Sequence, residues 1–448
     1  MNILFISLGC DKNLADSETM LGMLASRGYQ IVDEEEKADV IIVNTCCFIH
    51  DAMEESIETI LQMAEYKKSG SLKALIVTGC MAERYREEIT KEIPEVDAVL
   101  GTASYGHILD AVDEVLKGHS YLMMEPLDTL PLIETHRLVT TGGHYAYLKI
   151  AEGCDKHCTY CIIPKLRGNF RSVPMDHLIK EAEQLAADGV KELILVAQET
   201  TLYGKDLYGE KKLPELLHKL CQISGIRWIR ILYCYPEEIT EELIQTMKEE
   251  PKICHYLDLP IQHASDGILK RMGRRTSKEE LVHIISRLRE EIPDITLRTT
   301  LITGFPGETQ EQHEELMDFV DEMEFDRLGV FTYSPEEGTP AASMPDQIEE
   351  SIKEDRRAEL MELQQEIAFA QAEDMVGKEV LVMIEGKVAE ENAYVGRTYK
   401  DAPNVDGLIF VNTDAELMSG DFAKVKVTGA CEYCLLYTSP SPRDSTSS

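Results

Sequence analysis

The chain opens with apolar runs separated by stretches of helical spacing. Asn2–Gly9 is apolar and strand-like, Ala15–Arg27 repeats its apolar residues at helical intervals, and Ala38–Thr45 is apolar again. His50–Lys67 is amphipathic, Lys73–Gly79 is a third apolar run and Asp97–Gly101 a fourth. Short apolar runs alternating with helical segments predict a parallel sheet flanked by helices. Met124–Gly143 carries two Pro and two Gly with weak periodicity and reads as a linker. A second series follows, with candidate strands Tyr145–Ala151, Glu192–Gln198, Arg227–Cys234, Tyr256–Gln262, Ile295–Gly304 and Arg327–Ser334. Helical stretches such as Met175–Asp188, Thr240–Lys248 and Thr309–Met323 separate them. Six such units in roughly 190 residues predict an open, partial (β/α)6 barrel rather than a closed eightfold one. Ile348–Met375 is long, charged and helical, suited to packing across the sheet or bridging domains.

From Val376 the pattern changes to short strands, Val380–Glu385, Ala393–Thr398, Gly407–Val411 and Phe422–Val427, the signature of a small OB-like β-barrel. The expected organisation is an α/β domain over residues 1–125, a linker over 126–143, a second α/β domain over 144–372 and a β-barrel over 373–433. Residues 434–448 read as a Ser/Thr/Pro-rich tail that cannot build a core, resembling translated vector or adapter sequence rather than native protein.

Charge narrows the function classes. The 448 residues include 81 acidic and 45 basic side chains, a net charge of −36. Affinity for nucleic acid in general comes from Lys and Arg neutralising phosphates, so the balance argues against a generic polyanion binder while leaving room for a local basic cleft. The β-barrel stretch Asp374–Glu432 is itself acidic, eleven against six. No apolar run approaches the ~18 residues of a membrane span, and the start, MNILFISLGC, lacks the basic region and length of an export signal. The expected compartment is the cytoplasm, where thiols stay reduced. The 12 Cys are then metal ligands, catalytic groups or core residues, not a disulfide framework.

The sharpest chemical signal is Gly153-Cys154-Asp155-Lys156-His157-Cys158-Thr159-Tyr160-Cys161. Three Cys at C-x3-C-x2-C in a loop after a strand can wrap one face of a 4Fe–4S cluster, which takes four ligands, so one iron is left for a non-protein ligand. The alternative is zinc with His157 as fourth ligand, although structural zinc usually pairs two C-x2-C halves. A second set is dispersed: Cys10, Cys46 and Cys80 close the apolar runs ILFISLGC, VIIVNTC and ALIVTGC. Parallel strands put their C-terminal ends on one edge, where open α/β sheets bind ligands. Three Cys there point to a second cluster with an open iron; the plainer alternative is that they are small core residues. Cys47 points elsewhere if the strand continues. Cys221, Cys234 and Cys254 read as core, and Cys431 with Cys434 stays unassigned.

The predicted strand ends of the second domain carry further polar groups: Gln198-Glu199-Thr200-Thr201, Tyr233, Tyr235, Gln262, His263, Thr303–Glu308, Tyr333 and Ser334. In βα barrels chemistry sits at those ends. Gly304 and Gly307 let backbone approach a ligand closely; Glu199 is suited to ribose hydroxyls, and Arg274 or Arg298 to a carboxylate. Each has a bland counterpart: an ordinary turn, a structural His263, a solvated Arg271/Arg274/Arg275 face.

The cysteine loop, with Tyr160 before its last Cys, resembles that of the radical S-adenosylmethionine (SAM) enzymes. The Cys10/Cys46/Cys80 domain before it and the β-barrel after it are similar to the methylthiotransferases, whose barrel is called TRAM. The resemblance covers residues 1 to about 433. Ser7–Glu18, Ala151–Ser172, Tyr203–Gly209 and Leu257–Arg275 resemble the branch that methylthiolates an aspartate of small-subunit ribosomal protein number twelve. Cys47 stands where that branch has Gly, and Glu199 where it has Asp. The resemblance implies two 4Fe–4S clusters, one on Cys154, Cys158 and Cys161 that chelates SAM, the other on Cys10, Cys46 and Cys80. Tyr160, Glu199, Gly304, Arg274 and Arg298 are the expected SAM contacts. It further implies hydrogen abstraction from the aspartate β-carbon, sulfur insertion, methyl transfer from a second SAM, and an electron donor such as flavodoxin. The sulfur donor stays unnamed and the expected state is a monomer.

Two other readings remain open at this point. A tRNA adenosine methylthiotransferase shares the chemistry but calls for a basic surface, which the acidic balance disfavours. A non-catalytic iron–sulfur or zinc-binding interaction protein would not need so many populated strand ends.

Overall fold

In the computed structural model, residues 1–70, 72–130, 136–389, 392–431 and 434–438 are described. Strands β1 (Asn2–Ser7), β2 (Gln30–Val32), β3 (Val40–Thr45), β4 (Ala74–Gly79), β5 (Ala98–Leu100) and β6 (Tyr121–Met123) form one parallel sheet in the order β2-β1-β3-β4-β5-β6. Every residue of β3 and β4 is buried. Parallel strands are covered on both faces, which is why VIIVNT and ALIVTG are apolar almost throughout. The edge strands β2 and β6 have no counterpart among the expected strands. Each is three residues long with none of them buried, too short a run to stand out as a strand.

The second domain contains β7 (Tyr145–Lys149), the short pair β8 (Ala151–Glu152) and β9 (Arg171–Ser172), then β10 (Glu192–Val196), β11 (Trp228–Ile231), β12 (Ile253–Asp258), β13 (Thr296–Thr303) and β14 (Arg327–Thr332). β7 and β10 to β14 are parallel in the order β14-β13-β12-β11-β10-β7, an open sheet of six strands as expected. Alternate residues face opposite ways. Leu193 and Leu195 enter the core beneath the helices, whereas Ile194 and Val196 join Tyr145, Tyr147, Trp228 and Tyr256 on the inner face. That inner face is not open. Met383 and Ala402 of the C-terminal barrel cover it, with Leu14 of the first domain packed alongside.

The C-terminal strands β15 (Glu379–Lys387), β16 (Ala393–Arg397), β17 (Leu408–Asn412), β18 (Phe422–Cys431) and β19 (Cys434–Thr438) close into a barrel in the order β15-β16-β17-β19-β18. β19 corrects the expected boundary. It lies in the stretch 434–448 read as a tail, yet it pairs parallel with β17 and antiparallel with β18. Four strands would leave the edges of β17 and β18 unpaired, and full closure is how a small barrel removes such edges. Residues 439–448 of the expected tail and 131–135 of the expected linker lie outside the described residues.

Two features lock the domains together. Arg137, in the linker, donates from Nη2 to Glu18 Oε2 and from Nη1 to Glu181 Oε1 at 2.7 and 2.6 Å, tying helix Asp11–Ser26 to helix Met175–Ala187. Glu192 accepts from Arg230 and from Arg397 of the barrel, both at 2.7 Å. Burial alone would push its carboxyl up; the two guanidiniums more than offset that and hold it below the usual range. The long helix Glu350–Glu373 packs on the outside of the sheet, where Gln364 Nε2 donates to Phe325 O at 2.8 Å and Arg356 pairs with Glu308 at 2.7 Å. Among the described residues no helix is long and apolar enough to cross a membrane.

Candidate active site

Both cysteine sets lie just past the C-terminal ends of parallel strands. Cys46 directly follows β3 and Cys80 directly follows β4, while Cys10 stands a short turn beyond β1. β1, β3 and β4 are neighbours in the sheet, so the three residues come to one stretch of its edge. Gly9 has φ +86° and Gly79 φ +93°, a backbone that side-chain-bearing residues rarely adopt. A Cβ on Gly9 would lie 2.6 Å from Cys46 Cβ, so the bare glycine lets Cys10 and Cys46 share one corner. Cys46 and Cys80 are buried and Cys10 is exposed. Burial pushes the Cys46 thiol up to about 12, with the neighbouring Cys80 and Cys10 sulfurs adding to it.

In the loop set, Cys154 and Cys158 are buried and Cys161 half-buried. Gln198 Oε1 accepts from Gly153 N at 2.8 Å, and Thr159 N donates to Met272 O at 2.9 Å, pinning the loop at both ends. Burial pushes Cys154 up to about 11 and Cys161 to about 12. Thiols in this state shed protons when they bind iron. His157 is exposed, with φ +52°, and does not complete a tetrahedral set with the thiols. Among the described residues no three His, Cys, Asp or Glu side chains are placed to hold a single metal ion. A cubane is a wider object, each cysteine binding a different iron.

One short segment touches both sets. Tyr233, just past β11 with φ +59°, has its hydroxyl 3.1 and 3.2 Å from the two carboxylate oxygens of Asp11, the residue after Cys10. Lys12 Nζ stands 3.2 Å from the centre of the Tyr233 ring. Two residues on, the Tyr235 hydroxyl is 3.7 Å from Cys158 Sγ. On the far side, Arg84, soon after Cys80, pairs with Glu336 beyond β14 at 3.1 Å. The N-terminal domain therefore sits across the strand-end mouth of the second domain, with both cysteine sets at that junction.

The five expected SAM contacts divide. Tyr160, Glu199 and Arg274 gather at the cysteine loop. The Arg274 guanidinium lies 4.3 Å from the Tyr235 ring centre and donates from Nη2 to Pro260 O at 2.9 Å, while its buried Nε has no partner. Glu199 is fully buried, which pushes its carboxyl up to about 7. Its Oε1 accepts from Thr201 N at 3.0 Å and its Oε2 has no hydrogen-bond partner, the nearest cation being Lys156 at 3.9 Å. Gly304 stands at the right strand end, but the Lys353 stem fills the space beside its α-carbon. Its neighbour Phe305 packs edge-on against Tyr160 at 6.5 Å. Arg298 is not brought to the loop. It sits early in β13, paired with Asp258 at 2.9 Å and with Asp406 of the barrel domain at 3.4 Å.

Sequence reasoning missed a buried polar group between the two sets: Asn13, Asp16, Lys149, Glu152 and Arg167. The available signal was Lys149 and Glu152, charges set in the otherwise apolar run YAYLKIAEG.

Residues 2–101 match the uncharacterized protein family UPF0004, residues 148–320 the radical SAM superfamily and residues 376–436 the TRAM domain. The ribosomal protein uS12 methylthiotransferase RimO of Lachnoclostridium phytofermentans is 66% identical over 438 residues, 98% of this chain and 100% of the relative. The chain belongs to the RimO family. The RimO of Clostridioides difficile is 50% identical over 97% of this chain and 98% of its own. The radical SAM methyltransferase TsrM of Kitasatospora setae shares the fold at a TM-score of 0.54 and 13% identity, covering 85% of this chain and 78% of its own. As a member of the RimO family the chain is a radical-SAM enzyme, and its cofactors are a 4Fe–4S cluster and SAM.

Proposed function

We propose that this enzyme places a methylthio group on the β-carbon of an aspartate in small-subunit ribosomal protein uS12, using two 4Fe–4S clusters. The observation that carries the reading is the Tyr233–Tyr235 segment, which reaches the residue after Cys10 with one hydroxyl and Cys158 with the other. Two three-thiol sets at one mouth suit two clusters that serve one substrate atom. Cys154, Cys158 and Cys161 hold the first; Cys10, Cys46 and Cys80 hold the second. When bound, a reduced cluster with SAM supplies a 5′-deoxyadenosyl radical able to take hydrogen from an unactivated carbon, and the second cluster supplies sulfur.

The chain's own residues bind, orient and exclude water. Glu199, with one buried oxygen unpartnered, accepts from the SAM ribose hydroxyls. Arg274 turns its spare Nε to the SAM carboxylate. Tyr160 and Tyr235 wall the cysteine loop, and the Asp11–Tyr233 link holds the N-terminal domain across the mouth. The net charge of −36 suits a basic ribosomal protein better than a tRNA. The enzyme acts as a cytoplasmic monomer with an electron donor such as flavodoxin.

The test is a paired anaerobic assay of the reconstituted chain with SAM, reductant and sulfide. One reaction contains uS12 and the other isopentenyl-adenosine tRNA, and mass spectrometry seeks a methylthio group on each. Modification of uS12 alone is expected. Modification of the tRNA alone would keep the chemistry and overturn the substrate.

A further inference from the structure

Arg167 closes the short helix Ile163–Arg167 that leaves Cys161, and only 2% of it is exposed. Its Nη2 donates to Cys80 Sγ at 3.6 Å and to Asn13 Oδ1. Its Nη1 donates to Asp16 Oδ2 at 2.9 Å and to Glu152 Oε2 at 3.1 Å. Lys149 shares both carboxylates, reaching Glu152 Oε2 at 2.8 Å. The other oxygen of Glu152 accepts from Gln198 Nε2 at 2.8 Å, and Gln198 Oε1 accepts from Gly153 N at 2.8 Å, directly before Cys154. An unbroken polar chain thus runs from the Cys80 sulfur to the backbone of the cysteine loop. Two cations face two carboxylates within it, so no buried charge is left uncompensated.

We propose that Arg167 is a positioning residue for the N-terminal cluster, supplied by the other domain: it donates to the Cys80 sulfur and raises that cluster's reduction potential, while Glu152 and Gln198 fix it to the cysteine loop. The inference rests on the reading that Cys80 ligates a second cluster. A cationic donor on a ligating sulfur favours the reduced, more negative state, and hydrogen bonds to cluster sulfurs are an established lever on potential. Arginine suits the task because its planar fork spreads donors at fixed separations over Cys80, Asn13, Asp16 and Glu152, whereas a lysine's three donors all leave one nitrogen.

The full chain, reconstituted anaerobically with iron and sulfide, is titrated with reductant and followed by EPR. A Cys154→Ala/Cys158→Ala/Cys161→Ala parent isolates the N-terminal cluster; a Cys10→Ala/Cys46→Ala/Cys80→Ala parent isolates the loop cluster. In the first parent, Arg167→Lys is expected to retain iron, lower the midpoint potential and alter the g-values. In the second it is expected to leave the midpoint in place. Should Arg167→Lys shed the N-terminal iron, Arg167→Gln, an uncharged donor, is read the same way. Loss of N-terminal iron from both variants would mark Arg167 as purely structural and overturn the proposal. A midpoint unchanged or raised, a shift confined to the loop cluster, or loss of iron from both sets would overturn it. Failure of the underlying reading looks different: the first parent, with Arg167 intact, would bind no cluster at all.

Discussion

The two cysteine sets reach one mouth by opposite routes. Cys154, Cys158 and Cys161 fall within eight consecutive positions, so little chain entropy is spent in gathering them. Cys10, Cys46 and Cys80 come from three strands and meet only after β1 pairs β3 with Ile3 opposite Val40, and β3 pairs β4 with Val40 opposite Ala74. A slip in either register would move one thiol along its strand by a full residue, about 3.3 Å, out of line with the other two. The loop set is a local motif pinned by its neighbours. The dispersed set is a property of the completed sheet, and it inherits the sheet's cooperativity.

The largest effect that would sharpen this contrast is Cys154→Ala, expected to reduce SAM cleavage to background, measured as 5′-deoxyadenosine by chromatography. Cys80→Ala is expected to leave that cleavage in place and to abolish methylthiolation by mass spectrometry. If the Cys80 variant still modified its target, the division of labour between the sets would be wrong. Gly9→Ala comes next. Its φ of +86° and the 2.6 Å approach to Cys46 Cβ predict a loss of ~1–3 kcal/mol in thermal unfolding. Iron should be lost from the dispersed set while the loop set stays loaded.

Acid offers a milder probe, at the opposite end of the second domain. The Glu192 carboxyl is held below its ordinary 4.5 by Arg397 and Arg230. The stability it lends is complete above that ordinary value and is lost as pH falls through its lower folded value. Barrel docking should weaken in acid while SAM cleavage at neutral pH is untouched, and Glu192→Gln should flatten the acid limb of the melting curve. The smallest effect expected is Tyr233→Phe, about 1 kcal/mol for one hydrogen bond. Its cost should appear in N-terminal docking, by limited proteolysis, and not in loop iron content.

Much of this was legible in the chain because the signals are short-range. The x3-x2 spacing announces the loop set, and the apolar runs before Cys10, Cys46 and Cys80 announce strand ends that the parallel rule then aligns. What the sequence did not show depended on distant partners. Arg298 reads as a candidate SAM contact until the barrel domain returns Asp406 to it. Gly304 reads as a ligand cradle until Lys353 of the long helix fills its side. β19 hides beside a Ser/Thr/Pro-rich stretch, and its role depends on unpaired edges of β17 and β18 that no local pattern reveals. Arg167 is one more charge in its segment until Asn13, Asp16 and Cys80 arrive from another domain.

Helices cover one face of the six-stranded sheet, and Leu14, Met383 and Ala402 lie against the other, so both broad faces are closed and the cysteines sit at the junction between the first two domains. For the substrate proposed above, that junction predicts that the target aspartate is presented on a projecting segment rather than on a flat surface. Recognition then begins as a question of reach. An identical carboxylate on a flat surface stays out of range, and a turn of the right height is selected before its side chain is tested.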